Sequence, residues 1–190
     1  MTSTAFDKME ICLARATDND SASLDALLGM LGDENWRVRY AAAVSLGDRG
    51  DVRAIDALVE ALRHELVEPL FSQPPLEGGA HAGSNTPYSV QFPPGTTEQT
   101  KEAWCRRGRL MQAICLALGN IASPSPAALE LLHRLALDQK CDYSVRAASC
   151  KALGQLGSRE SLPVLQQAAT DEEWCTKCEA KKAIKRIASL

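Results

Sequence analysis

The segment from Asp33 to Gly50, DENWRVRYAAAVSLGDRG, recurs in degenerate form from Asp138 to Gly157 as DQKCDYSVRAASCKALGQLG, and DEEWCTKCEAKKAIKRI begins a further copy at Asp171. Self-similarity at about 30–40 residues constrains the fold more than any other feature, because one such unit cannot bury its apolar face alone and must stack on its neighbours. The register is fixed by the Leu-Gly pairs Leu46-Gly47, Leu118-Gly119 and Leu153-Gly154, with Ile184-Lys185 in the same place in the last copy. The separations are 72, 35 and 31 residues, so the first interval holds an insertion. Ahead of each second helix stand an acidic residue, an aromatic and a base: Asp33, Trp36 and Arg39; Asp138, Tyr143 and Arg146; Asp171, Trp174 and Lys177. The copy aligned on Leu118 departs from this pattern. Met111 replaces the arginine and Trp104 lies one turn too early, which predicts a helix that starts sooner than its counterparts.

Apolar residues return at helical spacing in Leu24, Leu27, Leu28 and Leu31 and again in Ile55, Leu58, Val59 and Leu62. No stretch alternates as a strand would. The pattern predicts nine helices, over 4–16, 22–32, 35–48, 52–66, 98–121, 126–137, 143–156, 160–169 and 172–188. Gly32, Gly47, Gly50, Gly119 and Gly157 read as helix stops. The six-residue spacing from Asp33 to Arg39, and from Asp171 to Lys177, predicts an ion pair inside each copy, repeated up the stack as a structural ladder.

The Val38-Arg39…Ala42…Leu46-Gly47 and Val145-Arg146…Ser149…Leu153-Gly154 cores resemble HEAT-like repeats, most closely the short subtype of phycobilin lyase subunits of the E/F type. The resemblance covers nearly the whole chain outside the insertion and implies an all-α, right-handed α-solenoid of about four helical hairpins plus an extra N-terminal helix. Residues 1–190 then form one domain, with 67–97 as an inserted loop. The resemblance also implies that the second helix of each pair lines a concave groove. It admits two functional classes: an accessory subunit of a bilin lyase or isomerase, and a non-catalytic adaptor like those of phycobilisome degradation.

Composition narrows the function further. A net charge of −3 gives no reason to expect nucleic acid. No apolar stretch is long enough to span a membrane and no leader pattern is visible, so a cytoplasmic protein is expected. Phosphate loops, His-Glu-x-x-His and Gly-x-Ser-x-Gly are all missing from the sequence, and the expectation is a protein without catalysis. Cys175-x-x-Cys178 is the one motif with chemical content, since residues three apart share a helix face. Cys105 and Cys141 fall near the starts of neighbouring second helices. The four thiols would make a zinc or iron–sulfur site if they converged; otherwise they are ordinary buried or incidental cysteines, and no resident cofactor is expected.

The partner class follows from the groove. Trp36, Arg37, Tyr40, Trp104, Arg109, Tyr143 and Trp174 occupy positions that the periodicity leaves off the core, and aromatics and arginine dominate binding energy at interfaces. Two readings stand for Trp36, Tyr143 and Trp174: recognition, or cover for the preceding turn. Tyr40 and Arg37 have no repeat-level role. Residues 67–97 hold six of the nine prolines and no Lys or Arg, yet they carry Phe71, Tyr88 and Phe92. Such a loop either crosses the groove as part of a partner site or is tacked to the edge of the stack. Basic residues cluster twice, at Lys101, Arg106, Arg107 and Arg109 and at Lys177, Lys181, Lys182, Lys185 and Arg186. Either cluster would suit an acidic partner, and the second also suits a polar cap on the last hairpin. The expected function is a scaffold that holds another protein, or a protein-bound cofactor, in its groove.

Overall fold

The structure is a computed structural model and describes residues 4–18, 20–67 and 95–190. Among these residues the chain is all helical. Its α-helices are α1 (Ala5–Arg15), α2 (Ser21–Met30), α3 (Trp36–Arg49), α4 (Ile55–Val67), α5 (Glu98–Ile121), α6 (Pro126–Leu137), α7 (Tyr143–Leu156), α8 (Leu162–Ala168) and α9 (Trp174–Ala188). Short 3-10 turns at Val52–Ala54 and Arg159–Ser161 lead into α4 and α8. The helices start where side chains can satisfy their first free N–H groups. Thr4 and Asp7 form a reciprocal capping box on α1; Asp20, Asn35, Thr97, Ser125 and Asp142 cap α2, α3, α5, α6 and α7. Gly50 and Gly157, both at φ +69°, close α3 and α7 in the left-handed conformation.

The helices sort into two layers. The odd helices pack in chain order, α1 on α3, α3 on α5, α5 on α7 and α7 on α9, while each even helix packs on the odd helix that follows it. This is a stack of four hairpins preceded by one helix, the solenoid expected from the repeat. Leu46, Leu118 and Leu153 are fully buried in the seam between the layers, joined by Leu24, Leu27, Leu58, Leu62, Leu132 and Leu135. Successive odd helices make far more extensive contact than successive even ones, so the stack is tighter on the odd side.

Two expectations are corrected here. Gly47 and Gly119 do not stop helices. They lie inside α3 and α5, where a Cβ would come 2.7 Å from the Cα of Ala117 and 2.8 Å from the Cα of Ala152. Gly154 repeats the contact against Ala183, again at 2.8 Å from Cα. Each glycine thus seats on the alanine two positions upstream of the next Leu-Gly glycine position, and backbone meets backbone along the odd layer. The ladder of ion pairs also runs between copies rather than within them. Asp33 pairs with Lys8 at 2.5 Å, and Asp171 pairs with Arg146 at 3.1 Å, each base coming from the preceding odd helix. Arg39 instead donates to the backbone carbonyls of Asp33 and Glu34 and reaches Glu65 at 3.5 Å. A single carboxylate joins both hydrogen-bond sets, because Asp33, Asp138 and Asp171 each accept the backbone N–H two residues later. Among the described residues Asp138 pairs with no such base, and Met111 stands at the donor position.

These contacts set the pH range of stability. Hydrogen bonds from Arg53 hold Asp51 down at about 2. Burial raises Asp171, but bonds from Glu173, Gln139 and Arg146 outweigh it and hold the carboxyl below its ordinary range. Stability from such depressed carboxyls is present above the unfolded value and is lost as pH falls through the folded one. Burial pushes Cys115, Cys141 and Cys150 up to about 12, so their contribution is present below the unfolded thiol value and fades as pH rises toward 12. Thermal denaturation should therefore show a plateau in Tm between about pH 5 and pH 8 with a decline on both sides. A Tm that keeps rising as the pH is lowered below about 4 would contradict these assignments.

Candidate functional site

Each odd helix offers an outer stripe whose register follows from the basic position at Lys8, Arg39, Met111, Arg146 and Lys177. One residue later come Met9, Tyr40, Gln112, Ala147 and Cys178; five later come Leu13, Val44, Leu116, Lys151 and Lys182. Stacking turns these positions into columns that cross the odd helices. Tyr40, expected from the sequence to be off the core, lines one recess of about 260 Å³ between α3 and α5 together with Val44, Gln112 and Leu116, of which Val44 and Leu116 also pack against the core. The columns are not uniform. At the α1–α5 end they are mostly apolar, with Leu13 and Tyr40 exposed and Phe6 exposed nearby on α1; at the α7–α9 end they carry Lys151 and Lys182. Lys182 is bonded to Glu179 at 2.6 Å.

Trp36, Arg37 and Tyr40 form one cluster. The Trp36 and Tyr40 rings meet edge to face with centroids 6.4 Å apart, and the Arg37 guanidinium lies 5.2 Å from the Trp36 ring centre. Behind this cluster, where the first turn of α3 faces the middle of α5, is a larger cavity of about 420 Å³ whose walls include Trp36, Arg37, Arg39, Glu65, Arg106 and Arg107. Arg39 and Arg107 both approach Glu65 at 3.5 Å, and Arg106 is ion-paired with Glu102.

The remaining expected residues divide. Arg109 is exposed and Tyr143 half-buried on the same face, and Trp174 is 66% exposed at the last hairpin. Trp104 is a correction: it is 4% exposed and is not part of an accessible face. The cause is the early start of α5. Its nearly three added turns run through Trp104, which lies seven residues, or about two turns, before Met111 and so shares the inward stripe of Arg107, Gly108 and Met111, all buried. Phe71, Tyr88 and Phe92 lie outside the described residues.

The cysteines do not assemble. Among the described residues no three His, Cys, Asp or Glu side chains come together as a metal site requires, and Cys105, Cys141, Cys175 and Cys178 are all described. Cys141 is buried in the loop before α7, while Cys105 is exposed on α5. A thiol pushed up to about 12, as at Cys141, is also a poor source of the thiolate that binds metal.

Sequence reasoning overlooked α1 as a contributor. Lys8 and Cys12 repeat the spacing of Arg39 and Ala43, and of Arg146 and Cys150, so α1 has the register of a second helix. That spacing was the available signal that Phe6 and Leu13 belong to the same columns as Arg37 and Val44.

Comparison with known proteins agrees with the architecture. The profile of a family described as HEAT repeats matches residues 8–70 and 134–189, more than half of the chain. The unmatched stretch contains α5, the helix whose register departs from the others. No curated protein matches the chain. Among solved structures, a crystal structure of an engineered protein aligns over 100% of this chain and 78% of its own, with 20% identity and a TM-score of 0.52, which speaks to fold alone. A second engineered protein aligns over 97% of this chain and 72% of its own at 20% identity and a TM-score of 0.48. Nothing among these matches singles out the phycobilin lyase subtype. No helix among the described residues is long and apolar enough to cross a membrane.

Proposed function

The chain belongs to the HEAT repeat family, and from that premise we propose that it is a non-catalytic interaction module that holds a segment of a partner protein across its odd helices. The observation that carries this reading is the recess formed by Tyr40, Val44, Gln112 and Leu116, which continues columns with exposed apolar residues at one end and lysines at the other. Large apolar side chains left in water along one face mark a contact surface. Their polarity sets the orientation: apolar anchors of the partner lie over α1–α5, and its acidic residues lie toward Lys151 and Lys182. Family membership supports the same class, because the repeat presents a surface and brings no reacting groups of its own.

The test uses a photo-crosslinking amino acid placed at Leu116, in the recess, or at Gln166, exposed on α8 in the other layer. In cells of the source organism, position 116 should give one discrete polypeptide adduct and position 166 none. Exchanging both Lys151 and Lys182 for Glu should reduce the adduct at 116 several-fold. The same adducts from both positions, or none from 116, would end the reading.

A further inference from the structure

The cavity behind Trp36 has three properties that the column face does not explain. Its walls carry four guanidinium groups, from Arg37, Arg39, Arg106 and Arg107, against the carboxylates of Glu34 and Glu65. Two N–H donors in its lining, Trp36 Nε1 and Arg39 Nε, are shut off from solvent and find no acceptor among the described residues. Arg37 enters no ion pair among the described residues and is held by the Trp36 ring instead. A buried donor without an acceptor costs more than a made hydrogen bond returns, so such donors are rare unless a ligand or water supplies the oxygen. Two of them in one cationic recess call for an anionic acceptor.

We infer that this cavity binds the carboxylate of an acidic side chain on the partner segment. The inference rests on the interaction reading above and adds its chemistry. A carboxylate presents two oxygens in a plane, which suits guanidinium and indole N–H donors approaching from different walls. Ala103 and Leu110, also in the lining, offer apolar cover for the methylenes of a glutamate. At about 420 Å³ the space falls within the range that encloses a ligand group with its stem, about 300–1,000 Å³, and is far larger than a bare inorganic ion needs. The Arg37–Trp36–Tyr40 cluster lies between the cavity and the recess of the column face, so a segment crossing the odd helices passes its mouth.

The three tryptophans give three indole N–H signals in a ¹⁵N-labelled sample, and these report the site directly. The probe is an acetylated, amidated octapeptide alternating Glu and Leu, with Gln for every Glu in the control peptide, and inorganic phosphate as a separate arm. The Trp36 signal should shift saturably with the Glu peptide and stay in place with the Gln peptide and with phosphate at equal concentration. Arg37→Glu, at an exposed position, should weaken the peptide about tenfold or more, as losing a charge-assisted contact does, while Arg37→Lys keeps part of the affinity. An unmoved Trp36 signal, an equal response to phosphate, or a shift of Trp174 alone would each overturn the proposal. If the crosslink from position 116 survives in Arg37→Glu and the Trp36 signal never moves, the cavity proposal fails and the column face stands.

Discussion

Asp171→Ala should lower the free energy of unfolding by about 3–5 kcal/mol, read from urea or guanidinium titration. The pair it breaks is almost wholly buried, with side-chain exposures of 6% for Arg146 and 3% for Asp171. Arg146 Nε and Nη2 donate to the two carboxylate oxygens at 3.1 and 3.3 Å, and Nη1 donates to the Cys141 carbonyl at 2.8 Å. Asp171 also accepts the Glu173 N–H at 2.8 Å and the Gln139 amide at 3.1 Å. Removing the carboxylate leaves a guanidinium charge inside the seam between α7 and α9 and frees the loop that begins α9. Most of the penalty comes from the stranded charge, not from lost attraction, so replacing both partners by Arg146→Met and Asp171→Leu should recover a large part of it. A loss below 1 kcal/mol in the single variant would mean that the guanidinium finds water and that the pair does not hold the last hairpin.

Gly154→Ala is the second large effect. Elsewhere in a helix the exchange is favourable: Gly29 in α2 has nothing within 4 Å of its added Cβ, and Gly29→Ala should gain up to about 1 kcal/mol. At Gly154 the same methyl group meets Ala183 Cβ at 2.7 Å and Cα at 2.8 Å, so one whole helix must move. Overpacking of this kind costs about 1–3 kcal/mol. The cause is testable by a double-mutant cycle with Ala183→Gly, which removes the obstructing methyl. The pair should be less destabilised than the two single losses predict, with a coupling of at least 0.5 kcal/mol. Additive losses would show that the glycine is there for another reason.

The fold was legible in the sequence because stacking imposes one hairpin on every copy, and the Leu-Gly pair marks its phase at Leu46, Leu118 and Leu153. Helix ends were legible where a cap does the work, as at Asn35, Ser125 and Gly157. The inner glycines were misread because a glycine one turn before a helix end looks the same whether it stops the chain or admits a neighbour. Only the partner, Ala117, Ala152 or Ala183, tells the two apart, and it lies 29–70 residues away in the chain. The ladder was misplaced for the same reason: Asp33 finds Lys8, twenty-five residues upstream, instead of Arg39, six downstream. Of the candidate site, Arg37, Tyr40 and Trp174, which periodicity left off the core, are exposed. Trp104 is not, because on the longer α5 it stands seven residues before Met111 and so falls on the same buried face. The four cysteines looked like a cluster on a linear map, but among the described residues they do not converge into a group of three or more ligands.

The glycine–alanine seats have a metric consequence. Contacts between backbones leave no long side chain to adjust, so the pitch between odd helices is fixed at the short end of helix spacing, about 8 Å. An extended chain rises about 3.1 Å per residue. A segment laid across the odd helices, as proposed above, passes one helix about every third residue, and its sequence should carry that rhythm: apolar side chains over α1, α3 and α5 apart from the one acidic residue that enters the cavity behind Trp36, then acidic ones over α7 and α9. The stack acts as a ruler with hard graduations, and a partner whose side chains are out of step with it has to buckle or let go.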